Sequence, residues 1–311
     1  MGEWARSQLH GAHVIQHILH FIYLTLCFVP LFQRLCFAVQ TPMGIILIDK
    51  PLRRTSMDVC ANIRARFRRG GSPKRIKVGH AGTLDPLATG LLVIMVGKAT
   101  TLCNQFMADR KCYLTTIDLS QTSTTDDAEG ERIFINNPVI PTTEQLVYTL
   151  QTFTGVIMQR PPIYSAMKVG GQRAYDLARQ GKPVDLAARP VTIHSLRLVE
   201  YAWPLLTLEV HCGKGTYIRS LGKDIGATLQ VGGMLTMLRR TSSGDFHVDQ
   251  ARTLDSLPDI MTQNDLTAVS LPIKQTPTSP STDEQSSDDL AIESDDLDGE
   301  GSDQGDESAP S

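Results

Sequence analysis

No two of the six cysteines in this 311-residue chain stand in a C-x-x-C pair. Cys27, Cys36, Cys60, Cys103, Cys112 and Cys212 are scattered along the chain. That pattern excludes a disulfide scaffold and a zinc ribbon, and it fits a reducing, cytoplasmic setting with no metal or cofactor. No internal repeat is present, which excludes a solenoid. Positive charge is missing from residues 281–311, where twelve Asp and Glu stand with no Lys or Arg. The remaining 280 residues hold thirty basic against twenty-one acidic side chains, a net of +9 that the overall −3 conceals. A basic body of this kind suits an anionic partner. The acidic end has too little apolar surface to offset ordering entropy and reads as a disordered tail.

Formal charge is also absent from His13 to Gln33, and Ile18–Phe32 is strongly apolar. The length suits a membrane span or a signal peptide. Against both stand His13, Gln16, His17, His20 and Pro30, and no small-x-small cleavage site precedes Gln40. The alternative, which the residues favour, is that translation begins at Met43. The expected organisation is therefore an apolar extension over 1–42, a folded body over 43–258, and a polar then acidic tail over 259–311.

Within the body, Met43–Ile48 reads as a buried strand. Thr55 or Ser56 caps a helix carrying Met57, Cys60, Ile63 and Phe67 on one face. Arg53, Arg54, Arg64, Arg66, Arg68, Arg69, Lys74, Arg75 and Lys77 crowd the helix and the loop after it, opposed by Asp58 alone. Such a run matches a phosphate-tracking surface better than an ordinary solvated face. Lys111–Ser120 reads as a strand, Thr142–Phe153 and Ala174–Arg179 as helices. Leu205–Cys212 alternates apolar and polar, so one of its faces is buried. Ile218, Leu221, Ile225 and Leu229 form an apolar helical stripe. Strands and helices mix without strict βαβ alternation, which predicts an α+β fold with a largely antiparallel mixed sheet flanked by helices.

The most informative stretch is GHAGTLDPLATGLLVIMVGKAT, residues 79–100, which sets Asp85 in a turn before the apolar run Leu91–Val96. Taken alone, Asp85 reads as a turn or cap residue. Six further segments accompany it in order: GIILIDKP at Gly44–Pro51, KCY at Lys111–Tyr113, PPIYSAMK at Pro161–Lys168, RAYDLARQG at Arg173–Gly181, CGKGTYIRSLGKDIG at Cys212–Gly226 and LRRTSSGDF at Leu238–Phe246. Together they resemble the tRNA pseudouridine-55 synthases of the bacterial synthase B type, over roughly residues 43–258.

The resemblance implies the pseudouridine synthase fold and an isomerase that converts uridine to pseudouridine in the tRNA T loop. It makes Asp85 the required carboxylate, acting as a nucleophile at C1′ or at base C6, or as a base on a sugar proton. It makes Arg219 the guanidinium that holds Asp85 ionised, where the bare residues allow a surface helix position. Tyr113, otherwise a core residue, becomes the aromatic that stacks on an extruded uracil. Tyr217 and Leu238 line the pocket by the same resemblance, and His80 takes part in rearranging the loop. Lys50 and Lys214 contact phosphate or hold loops. Three positions depart from the family pattern: Arg53 stands where glycine is favoured, Ala81 where threonine is frequent, and Gly213 where serine is frequent. After LRR many members carry a small RNA-binding domain, and none is expected here. The expected partner is the tRNA T arm, with no protein partner and a monomeric chain. Two alternatives stay open: an RNA-binding or RNA-folding protein without catalysis, and a synthase acting on another uridine.

Overall fold

The computed structural model describes residues 41–165 and 167–271. The apolar stretch before residue 41 and the acidic stretch after 271 lie outside the described residues. Among the described residues, no helix is long and apolar enough to cross a membrane.

The chain opens with strand β1 (Gly44–Lys50), helix α1 (Ser56–Arg69), β2 (Val78–His80) and β3 (Ala88–Val96). Helix α2 (Cys103–Ala108) leads to β4 (Lys111–Asp118), and the short β5 (Gln121–Ser123) and β6 (Arg132–Phe134) form a hairpin beside it. Next come α3 (Thr143–Thr152), β7 (Gly155–Gln159), the ribbon of β8 (Lys168–Val169) and β9 (Gln172–Arg173), and α4 (Ala174–Arg179). The long β10 (Arg189–Ala202) and β11 (Leu205–Cys212), α5 (Ile218–Thr228), β12 (Met234–Ser243) and β13 (Phe246–His247) complete it.

Nine strands make one sheet, whose main path runs β1-β3-β12-β4-β11-β10-β7, with β2 on β3 and β13 on β12. Every pairing is antiparallel except β12 on β3, where Leu238–Arg240 run beside Ala88–Gly90. The expected α+β architecture, mixed and mostly antiparallel, is what the chain adopts.

Helix α1 begins where Thr55 accepts from the Asp58 amide and Asp58 accepts from the Thr55 amide, a reciprocal cap that satisfies two orphan donors. Its buried face is Val59, Cys60, Ile63 and Phe67, each large apolar side chain contributing about 1.5–3 kcal/mol. Met57, expected on that face, is instead exposed, because the helix turns it away from Val59 and Ile63. Helix α3 repeats the reciprocal cap with Thr142 and Gln145. On β11, Leu206, Leu208, Val210 and Cys212 are buried, as the alternation predicts. Cβ positions alternate across a strand, so Glu209 and His211 occupy its other face.

The packed body extends past the boundary expected at 258. Met261 is fully buried and its amide donates to Arg66 O. Thr267 exchanges both backbone hydrogen bonds with Ile45 at 2.9 Å, which adds a strap along β1. A polar run gave no sign of this, since the strap is held by main-chain bonds and a single methionine.

Candidate active site

Asp85 lies in the turn just before β3, and that turn is tied down from several sides. Ser56 Oγ donates to Leu84 O at 3.0 Å and accepts from the Leu84 amide at 2.8 Å. The Arg53 amide donates to Pro86 O at 2.9 Å. Arg53 adopts φ 62°, a left-handed conformation that glycine takes without steric cost. Arg53, which the resemblance sets where glycine is favoured, is thus held in a glycine-like conformation.

Arg219, second residue of α5, is buried and meets the Asp85 side chain, which is about one third exposed: its Nε stands 2.9 Å from Asp85 Oδ2. The same guanidinium lies 3.5 Å from Asp127 Oδ2 and donates to the carbonyls of Thr125 at 3.3 Å and Tyr164 at 2.9 Å. Arg219 is thus no surface helix residue. Loss of water around Asp85 pushes its carboxyl above the usual range, and Asp127 adds to this, while the Arg219 charge opposes both. The arginine moderates the pKa without bringing it below normal, which differs from the sequence expectation.

Lys50 is fully buried at the end of β1, its Nζ donating to Pro51 O at 3.0 Å and Arg54 O at 2.5 Å. It holds the loop into α1 rather than lying on the surface. Desolvation lowers its pKa to about 8, and Asp85 is the largest influence raising it back. Tyr113 is buried on β4, opposite Arg240 of β12 in the sheet register. Burial raises the phenol pKa, the Arg240 charge lowers it, and the nearby Asp85 charge adds a smaller rise. Leu238, two residues before Arg240, is buried in the same apolar cluster as Tyr113 and Leu84.

His80 on β2 has a buried Nδ1 without a hydrogen-bond partner, and its pKa falls to about 4 through burial and the Arg240 charge. Tyr217 caps α5, its amide and carbonyl bound by the Gln159 side chain at 2.8 and 3.1 Å. Arg189 sits over the Tyr217 ring at 5.4 Å. Lys214 is exposed in the turn before it. The fold therefore gathers Asp85, Arg219, Lys50, Tyr113 and Leu238, and sets Tyr217 and Lys214 at the entrance to α5.

The sequence of this chain matches the profile of the TruB family pseudouridylate synthase N-terminal domain over residues 68–218. It matches that of the tRNA pseudouridylate synthase B C-terminal domain over 219–275. The tRNA pseudouridine synthase B of Thermobifida fusca is 48% identical over 223 residues, covering 69% of this chain and 74% of the relative. That of Phocaeicola vulgatus is 43% identical, covering 72% and 96%. This chain belongs to the TruB family. Among solved structures, the Cbf5-Nop10-Gar1 complex resembles it with a TM-score of 0.52 at 29% identity, covering 69% of this chain and 53% of that one.

Two buried charged residues of this candidate site carry no local signal in the sequence. Arg240 is 1% exposed and donates to Leu91 O at 2.7 Å and Gly82 O at 3.1 Å. It stands in plain view in LRRTSSGDF, but nothing local distinguishes it from Arg239, which pairs outward with Asp49 at 2.7 Å. Asp127 lies in a polar loop beside Asp126. At Asp126 a positive φ turns the chain, so that Asp126 meets Lys223 at 3.1 Å and Asp127 faces inward. Gly90 explains a glycine the motif left unassigned: a side chain there would collide with the Arg240 backbone.

The basic surface also needs correction. Arg66 donates to Leu257 O, Pro258 O and Leu254 O at 2.7, 2.8 and 3.1 Å, pinning the chain after β13. Arg69 bonds Asp259 O at 2.8 Å and Arg64 bonds Val78 O at 3.2 Å. These three arginines hold the fold together, while Arg53, Arg54, Arg68, Lys74, Arg75 and Lys77 are exposed.

Proposed function

We propose that this protein isomerises a T-loop uridine of tRNA to pseudouridine, with Asp85 as the reacting carboxylate. The observation that carries the reading is the Arg219–Asp85 contact at 2.9 Å, placed within a chain of the TruB family. The reaction breaks the C1′–N1 bond and forms C1′–C5. The C5 proton leaves and N1 gains one, so the net composition of the base is unchanged. Asp85 is positioned to attack C1′ or C6, or to take a sugar proton. Arg219 fixes its orientation and favours its charged form. Tyr113 and Leu238 form the apolar floor against which an extruded uracil stacks, offsetting part of the few kcal/mol that unstacking costs. Ser56 keeps the Asp85 turn from shifting, and Lys50 holds the loop into α1 beside it. The exposed cations between Arg53 and Lys77 suit the phosphates of the incoming T arm, giving affinity and register rather than sequence readout. The cytoplasm, where tRNA is found, is the setting this reading implies.

The test uses tRNA transcribed with tritium at uridine C5. The full chain should release tritium from one T-loop uridine per tRNA, and Asp85→Asn should release none while binding tRNA with little change. Turnover by Asp85→Asn, or release confined to uridines outside the T loop, would overturn the reading.

A further inference from the structure

Cys112, Glu209 and His211 converge on the sheet face opposite the site described above. Cys112 and Tyr113 are consecutive on β4, so Tyr113 facing the Asp85 side puts Cys112 on the reverse. Cys112 pairs with His211 in the β4–β11 register, and Glu209 lies two residues before His211 on the same face. Cys112 and His211 are 99 residues apart in sequence, so no spacing motif announces the group.

Their donor atoms all lie within 4.8 Å of one another. The Cys112 Sγ to His211 Nε2 distance is 3.5 Å, and His211 Nε2 to Glu209 Oε1 is 3.3 Å. Tetrahedral zinc bound by sulfur, nitrogen and oxygen sets its ligand atoms roughly 3.5 Å apart for the first pair and roughly 3.3 Å for the second. Two edges of the polyhedron are therefore already in place. Arg197 orients the third ligand, donating from Nε to Glu209 Oε1 at 3.2 Å and from Nη2 to Oε2 at 3.0 Å. With Oε1 turned to a metal, Oε2 keeps its guanidinium partner, the outer contact that metal-ligating carboxylates commonly have. The His211 side chain is 47% exposed, which provides the entry path.

We propose that Cys112, Glu209 and His211 form a zinc site that clips β4 to β11 on the reverse of the catalytic pocket. Thiolate, imidazole and carboxylate together select a borderline-soft divalent ion over magnesium or calcium. The fourth position is open to water. Binding converts the Cys112 thiol to a zinc-bound thiolate and sends its proton to solvent. Because the thiol must lose its proton to bind the metal, affinity should fall as pH is lowered.

The test is titration of the full chain with zinc against a colorimetric chelator, and with cobalt as a spectroscopic stand-in. The unaltered protein should show a cobalt–thiolate charge-transfer band and a thermal midpoint that rises with zinc. Cys112→Ser should abolish the band, and His211→Ala should weaken zinc binding at least tenfold. The control Cys103→Ser should leave both unchanged. No thiolate band in the unaltered protein, or zinc affinity equal in Cys112→Ser, His211→Ala and the control, would overturn the site. Should Cys112→Ser unfold, the half-exposed His211→Ala decides the matter alone.

Discussion

Arg219 is shared by two carboxylates, Asp85 at 2.9 Å and Asp127 at 3.5 Å, and the second is the more deeply buried of the two. The arrangement separates roles. Asp127 fixes the guanidinium from the protein side, with its own Oδ1 bonded by Thr125 and by the Glu129 amide. Asp85 meets the guanidinium from the more open side and keeps about one third of its side chain exposed.

Removing the guanidinium should therefore harm stability and turnover through different partners. Arg219→Ala leaves two carboxylates facing each other and should cost about 3 kcal/mol in urea unfolding. Adding Asp127→Asn should recover part of that stability, because the buried repulsion is relieved, without recovering turnover. Arg219→Lys keeps the charge but loses the fork, and turnover should fall roughly a hundredfold. Equal loss of stability in the single and double variants would show that Asp127 is not coupled to Arg219.

His80 predicts an acid sensitivity. Its pKa of about 4 lies below the usual 6.5 because burial and Arg240 disfavour the imidazolium. Between these values the unfolded chain binds a proton that the folded chain refuses. Stability present above pH 6.5 is thus progressively lost as pH falls toward 4. His80→Gln should flatten that part of the profile, measured as urea midpoints across the acid range. An identical acid slope in the variant would contradict the assignment.

At Arg53 the left-handed backbone makes an unusual expectation testable. Arg53→Gly removes the side-chain conflict at φ 62° and should raise stability by up to about 1 kcal/mol. The loss of one exposed cation should weaken tRNA binding slightly at low salt. A drop in stability would mean that the Arg53 side chain contributes more than its backbone conformation costs.

Two sets of cations should separate in a salt titration. Arg66→Ala should destabilise by about 1–3 kcal/mol, since three carbonyls lose a charged donor, and leave the salt dependence of tRNA binding unchanged. Replacing Lys74, Arg75 and Lys77 by Gln should do the reverse. The slope of log affinity against log salt should flatten by up to about 0.9 for each phosphate that is no longer neutralised. An unchanged slope in the triple variant would place the RNA elsewhere.

Local signals in the sequence are largely sufficient for the elements. The cap at Thr55, one of the two candidates, and the alternation of Leu206 to Cys212 are short-range physics, and the fold keeps them. The pairing of Asp85 with Arg219 is legible through family resemblance, since no local rule joins residues so distant. What stays hidden depends on tertiary placement. Arg240 differs from Arg239 only by the face of β12 on which it falls, and Arg66 from Arg68 only by what passes beside the helix. Met261 looks like part of a polar run because one apolar residue makes no period. The Cys112–His211 pair emerges only once β4 and β11 are in register.

The strap along β1 has a topological consequence. Thr267 pairs with Ile45, and the Met43 amide donates to Gln263 Oε1 at 2.8 Å, so the body begins and finishes side by side. Adjacent termini are what circular permutation requires. A peptide of a few residues joining 271 to 41 would bridge them, and fresh ends opened in the exposed Val139–Ile140 loop would leave β1, its strap and the Asp85 turn continuous.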